Sequence, residues 1–137
     1  MRWGELDLDN KIWTSPPAHM KGFVEMRVPL TDEMVNWLGE PKDPEQLVCR
    51  NHQKKQFSDA ALLAVLKRMS YHKKTVVHGL RSTFSTWAHE KTMHQFDIIE
   101  AALSHKIGNQ VAQAYNRGDL LEKRRRLMED WSDYLSF

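Results

Sequence analysis

His78-Gly79-Leu80-Arg81-Ser82-Thr83-Phe84-Ser85-Thr86-Trp87-Ala88 reads as the opening of a long amphipathic helix that continues to about Lys91. A histidine and an arginine three residues apart share one side of such a helix, and Leu80, Phe84 and Trp87 recur at helical spacing on the other. The helix can therefore bury its apolar side and still present His78 and Arg81 to a ligand. Helical pattern continues around it. Upstream, Ser58 is expected to cap a helix over Asp59 to Met69, with Leu62, Leu63, Val65 and Leu66 as its apolar face. Arg68 to Lys74 is then a basic connector. Downstream, helices are expected over about Phe96–Leu103, Asn109–Tyr115 and Leu120–Tyr134. The last carries Leu120, Leu121, Leu127, Met128, Trp131, Tyr134 and Leu135 on one broad stripe, with Glu122 to Arg126 largely outside it. That stripe can cover the chain's own core or a neighbouring protomer; packing within the chain is the expectation.

The first third has a different rhythm. Glu5-Leu6-Asp7-Leu8 and Lys11-Ile12-Trp13-Thr14 flank the turn-prone pair Asp9-Asn10 and predict a β-hairpin. Ser15-Pro16-Pro17-Ala18 interrupts it, and Phe23 to Val28 alternates as a third strand, with Lys21-Gly22 at the turn before it. Thr31 predicts the cap of a short helix over Asp32 to Leu38, whose first turn is acidic. Residues 39–46 are a loop, and Leu47-Val48-Cys49 a brief extended piece. A small three-stranded antiparallel sheet followed by a mainly helical bundle is an α+β domain, and residues 1–137 are expected to form one.

Composition excludes some classes without selecting one. With 41% hydrophobic and 28% charged residues the chain resembles ordinary globular proteins rather than disordered ones. No apolar run approaches a membrane span, and no signal peptide opens the chain. The single cysteine, Cys49, cannot form an internal disulfide and fits a reducing cytoplasm. Charge is uneven. Residues 1–45 hold five Lys/Arg against nine Asp/Glu, whereas residues 46–137 hold fifteen against nine. The basic excess falls in the half that carries His78 and Arg81, as a phosphate-backbone ligand would require, although a solvated basic surface explains the charge equally well.

Taken alone, a His-x-x-Arg pair is most often surface decoration, and Lys21 would be a solvated turn lysine. Here Leu103-Ser104-His105 and then Ala114-Tyr115-Asn116-Arg117-Gly118-Asp119 follow in order. Histidine, arginine, histidine and tyrosine in succession suit phosphoryl transfer to a hydroxyl: a nucleophile, cations around a phosphate, and groups that move protons. Tyr71 and Tyr134 are the competing tyrosines; the first sits in the basic connector and the second fits the apolar stripe. His72, His89 and His94 lack a compact metal-ligand spacing and read as surface or DNA-proximal residues.

These motifs, together with Arg2-Trp3-Gly4-Glu5-Leu6-Asp7-Leu8-Asp9, Ile12-Trp13-Thr14, Met20-Lys21 and Val28-Pro29-Leu30, resemble the tyrosine recombinases. The likeness is to integrases of satellite phages and genomic islands, and it runs nearly end to end. The resemblance implies a catalytic domain that cuts and rejoins double-stranded DNA through a 3′-phosphotyrosyl link, with neither metal nor other cofactor. It assigns Tyr115 as nucleophile, Arg81 and His105 as donors to the phosphate, His78 to proton transfer and Lys21 to protonation of the leaving 5′-oxygen. It also implies a bacterial cytoplasmic, nucleoid-associated protein that forms a tetramer on paired attachment sites, with accessory DNA-bending proteins as possible partners and no membrane contact. The family uses a second arginine on a helix before the sheet. Arg2-Trp3-Gly4-Glu5-Leu6 imitates its motif but runs directly into the hairpin and lies only nineteen residues before Lys21. The chain therefore reads as a partial catalytic domain, without the upstream arginine helix and DNA-binding domains and weak or inactive by itself. A non-catalytic DNA-binding or interaction remnant of a decayed prophage or genomic-island integrase is the alternative, and a type IB topoisomerase a third reading.

Overall fold

The computed structural model describes residues 1–20, 24–105 and 119–136. Three antiparallel strands in the order β1-β2-β3 open the chain: β1 is Leu6–Asp7, β2 Ile12–Ser15 and β3 Met26–Pro29. The hairpin pairs Leu6 with Trp13 and Asp7 with Ile12. Its turn is closed by Asp7, which accepts from the Asn10 backbone N–H at 2.9 Å and from the Asn10 side-chain amide at 2.8 Å. Lys11 completes the reversal with φ of +54°, a left-handed position that a lysine adopts at some cost. Strand β3 pairs Ile12 with Pro29 and Ser15 with Met26. It begins three residues later than the alternation over Phe23 to Val28 predicts. The reason lies in its partner: after Ser15 come Pro16 and Pro17, which have no N–H to extend the ladder, and the chain turns into a 3-10 turn over Pro17–His19.

Five helices follow among the described residues, so the α+β arrangement is as expected. Helix α1, Asp32–Leu38, has the predicted bounds, and the Thr31 hydroxyl accepts from the Met34 N–H at 3.3 Å. Gly39 ends it with φ of +72°, where a side chain would be strained. Helix α2, Ala61–Arg68, starts later than predicted. Ser58 does not cap it: only its backbone carbonyl takes part, accepting from the Ala61 N–H at 2.9 Å in a preceding turn. Its apolar face is also less buried than expected. Leu66 is covered, but Leu62, Leu63 and Val65 are exposed.

Helices α3, Val77–Lys91, α4, Phe96–Ala102, and α5, Leu121–Leu135, make the core. Trp87 and Ala88 of α3 meet Ile98, Ile99 and Leu103 from α4 and its end, with Leu127 of α5 inserted between them. Phe84 and Trp131 pack edge to face at 5.4 Å, and Trp87 lies 4.8 Å from Trp131. Such aromatic pairs contribute about 0.5–1.5 kcal/mol beyond area burial. Leu80, expected on the same buried face, is exposed instead, because it sits a turn ahead of this cluster. The α5 stripe packs on its own core through Leu121, Leu127 and Trp131, while Tyr134 and Leu135 at its end stay exposed. Arg124, expected outside the stripe, is buried at 3% exposure.

Arg124 is buried because it joins α5 to the sheet. Its Nε donates to the Asp119 carbonyl at 2.7 Å and its Nη2 to the Arg27 carbonyl on β3 at 2.7 Å. Beside it Arg125 donates to the carbonyls of Lys11 and Asn10 at 3.3 and 3.1 Å, gripping the β1–β2 turn. Ser132 reaches Glu33 of α1 at 3.1 Å. The helix thus presents apolar residues to α3 and α4, and guanidinium donors to backbone oxygens of the sheet.

Candidate active site

Helix α3 places His78 and Arg81 on its first turns, His78 exposed and Arg81 half-buried. Helix α4 supplies the partner of Arg81. Its C-terminus is a reversal in which the His105 N–H bonds to the Glu100 carbonyl at 3.0 Å and the Ser104 N–H to the Ala101 carbonyl at 3.1 Å. Ser104 takes the left-handed position with φ of +55°, where glycine is usual. Its hydroxyl meets the Met26 sulfur on β3 at 2.7 Å. This turn directs the His105 ring back toward both helices.

The result is a short chain of polar contacts. Arg81 Nη2 donates to the Leu103 carbonyl and lies 2.8 Å from His105 Nε2. His105 Nδ1 lies 2.8 Å from Glu100 Oε2. The other Glu100 oxygen is 3.6 Å from His89 Nε2. Two residues twenty-four positions apart, both expected at a phosphate, are therefore in direct contact. Among the described residues Arg81 Nε and Nη1 have no hydrogen-bond partner, so N–H donors beyond those spent on Leu103 and His105 remain for an oxyanion. Lys21 and Tyr115 lie outside the described residues, as do Arg117 and the helix expected over 109–115.

A second cluster stands at residue 119. Arg27 of β3 holds the Asp119 carboxylate with two hydrogen bonds, Nε to Oδ2 at 2.8 Å and Nη2 to Oδ1 at 2.9 Å. Arg124 Nη2 lies 3.4 Å from the same carboxylate, and the Leu121 N–H donates to it at 3.3 Å. Burial by itself would raise the Asp119 pKa. The hydrogen bonds and charge of Arg27, the charge of Arg124 and the Leu121 N–H outweigh it and hold the carboxyl below the ordinary aspartate range. Burial lowers the Arg124 guanidinium from its ordinary value, with Asp119 opposing and Arg27 reinforcing the shift. Ser104 and Asp119 are thus tied to adjacent β3 residues, Met26 and Arg27.

Sequence reasoning missed Glu100, and it gave Arg27 and Arg124 no role. Glu100 and His105 are five apart, a separation that does not share a helix face. They meet only because Ser104 reverses the chain, and a serine gives no warning of a left-handed residue. Of the three histidines read as surface groups, His89 faces Glu100, and His94 Nε2 lies 2.6 Å from Asp130 Oδ2. Among the described residues, no three His, Cys, Asp or Glu side chains are grouped to hold a metal ion, and no helix is long and apolar enough to cross a membrane.

Residues 1–120 match the phage integrase family. The integrase of Shigella phage Sf6 is 34% identical over 143 residues, covering 98% of this chain and 36% of that protein. Prophage integrase IntA of Escherichia coli K12 is 38% identical over 141 residues, covering 96% of this chain and 33% of that protein. The integrase of Enterobacteria phage P4 is 32% identical over 154 residues, covering 98% of this chain and 35% of its own length. The chain spans about a third of the length of these curated relatives. No solved structure matches it.

Proposed function

The chain belongs to the phage integrase family, and on that premise we propose that it is a catalytic-domain portion of a tyrosine recombinase that cuts and rejoins DNA strands. The observation that carries this reading is the direct contact of Arg81 with His105, backed by Glu100. It gathers a permanent cation and a titratable donor where a phosphate can be held, on the face that also presents His78.

In this mechanism the Tyr115 phenol attacks a DNA phosphate. The P–O bond to tyrosine forms, the P–O bond to the 5′-oxygen breaks, and a 3′-phosphotyrosyl link remains. A tyrosine with a pKa of about 10 needs help to lose its proton, and His78 is the group assigned to accept it. Arg81 stabilises the charge that builds on the non-bridging oxygens, with His105 beside it. Lys21 delivers a proton to the leaving 5′-oxygen. The reverse sequence, with a different 5′-hydroxyl, rejoins the strands, and the bond energy kept in the tyrosyl link makes an external energy source unnecessary. Double-stranded attachment-site DNA is the substrate, and the bacterial cytoplasm the place of action. Tetramer formation on paired sites is part of the same proposal.

With Arg81 as the arginine assigned to the phosphate, turnover by residues 1–137 alone is proposed to be weak. Arginine contacts in related phosphoryl transfers contribute on the order of 10³–10⁵ in rate. The test is covalent trapping on nicked attachment-site duplexes that lose a short fragment on cleavage, resolved on a denaturing gel. A slow-migrating protein–DNA band that disappears in Tyr115→Phe is the expected result. A band that persists in Tyr115→Phe would remove the assignment. Absence of any band, even after the upstream arginine helix is supplied in the same chain, would leave a binding remnant as the better description.

A further inference from the structure

Resting on the reading of Arg81 and His105 as the phosphate-facing pair, we propose that Glu100 is a positioning residue for His105: it fixes which ring nitrogen carries the proton and becomes the counter-ion when that ring is charged. Hydrogen-bond capacity leads to this assignment. A guanidinium has donors only, so the His105 Nε2 that lies 2.8 Å from Arg81 Nη2 must offer a lone pair. The proton of the neutral ring is then on Nδ1, where Glu100 Oε2 accepts it at 2.8 Å. The opposite tautomer would set N–H against N–H at one end of the ring and a lone pair against a carboxylate at the other. Glu100 is well placed for this: its side chain is only 18% exposed, and the reversal at Ser104 brings His105 back over it.

This arrangement has a consequence for ligand binding. With Nδ1–H on Glu100 and Nε2 occupied by Arg81, His105 has no N–H left for a phosphate oxygen. A phosphate entering at Nε2 is an acceptor and requires a donor there. The ring must therefore gain one proton from solvent, leaving imidazolium with Nδ1–H on Glu100 and Nε2–H on the phosphate. The groups facing His105 act in opposite directions: Arg81 of α3 opposes the charged ring, Glu100 of α4 favours it, and His89 of α3 competes for the second Glu100 oxygen. The phosphate offsets the Arg81 repulsion, so binding and proton uptake go together. Glu100 touches no reacting atom and works through His105.

The experiment is long-range ¹H–¹⁵N correlation of the histidine rings in the whole chain at pH 8, with His105 assigned by its loss in His105→Gln. The wild-type ring is expected in the Nδ1–H form. Glu100→Ala should return it to the Nε2–H form preferred by free histidine. Glu100→Gln should keep Nδ1–H, since its amide oxygen still accepts, but lose the counter-charge. Calorimetry of a nicked attachment-site duplex in two buffers of different ionisation enthalpy should then show proton uptake in the wild type and less of it in Glu100→Gln. A wild-type Nε2–H ring overturns the proposal without recourse to any variant. So does an Nδ1–H ring that persists in a Glu100→Ala chain with intact near-ultraviolet tryptophan dichroism. The tautomer is read without DNA, so failure to bind the duplex would count against the proposed function while the ring still decides on Glu100.

Discussion

Leu127→Ala lowers the unfolding free energy by about 3–5 kcal/mol, the upper part of the range for a leucine truncated where neighbours cannot close the space. Leu127 is fully buried, and it is the α5 residue seated between Trp87 and Ala88 of α3 and Ile98, Ile99 and Leu103 from α4 and its end. Those neighbours lie on two different helices, so relaxing into the cavity would require both of them to shift toward α5 together. Domains of this size have a total stability of roughly 5–15 kcal/mol, so the variant sits near the folding threshold. Urea denaturation followed by tryptophan fluorescence reads the effect directly, because Trp87 and Trp131 border the site. Leu62→Ala on the exposed face of α2 is the matched control and should fall within about 0.5 kcal/mol of wild type. A Leu127→Ala loss below about 1 kcal/mol would show that α5 is held by its polar contacts to the sheet rather than by this core.

The two halves of α5 also show what sequence can and cannot reveal. Its apolar stripe was legible because helical periodicity depends on spacing alone, and Leu121, Leu127 and Trp131 are buried or half-buried as that spacing requires. The bounds of α1 were legible for a similarly local reason: the Thr31 hydroxyl and the N–H it caps lie within one turn. Arg124 was not, since a charged residue in a run from Glu122 to Arg126 reads as solvated. Only the carbonyls of Asp119 and Arg27 reveal why it turns inward, and Arg27 is ninety-seven positions away. The site divides in the same way. His78 and Arg81 share a helix and could be paired from their spacing, and His105 followed from the order of motifs. Glu100 depended on a left-handed serine, a long-range outcome with no local signature. The start of β3 differs for another reason: alternation predicts strand from Phe23, but the prolines after Ser15 lack the donors needed to extend the pairing before Met26.

Arg124→Met should cost about 2–4 kcal/mol at pH 7, and the smaller, ion-pair part of that cost should vanish in acid. The substitution fills similar volume, so packing alone predicts little change. What it removes is the donor set to the Asp119 and Arg27 carbonyls, leaving two backbone acceptors without those bonds beneath the helix. It also takes one of two cations from Asp119. The ion-pair share is the smaller one, because Asp119 is 34% exposed and keeps its two bonds to Arg27. Arg27→Gln should cost less than Arg124→Met, since water reaches the Arg27 guanidinium. The pH sign follows from the depressed Asp119 carboxyl. A carboxyl whose folded pKa lies below its unfolded value of about 3.9 contributes stability above that pH and loses it as pH falls through the folded value. Wild type should therefore lose its Asp119 advantage below about pH 4 and approach Arg124→Met, while the carbonyl share of the difference persists. Urea midpoints for both proteins at pH 7, 5 and 3 test this. A difference unchanged between pH 7 and pH 3 would assign the whole effect to the carbonyls. A difference near zero at pH 7 would mean that α5 docks on the sheet without Arg124, and the tie between Asp119 and β3 would then rest on Arg27 alone.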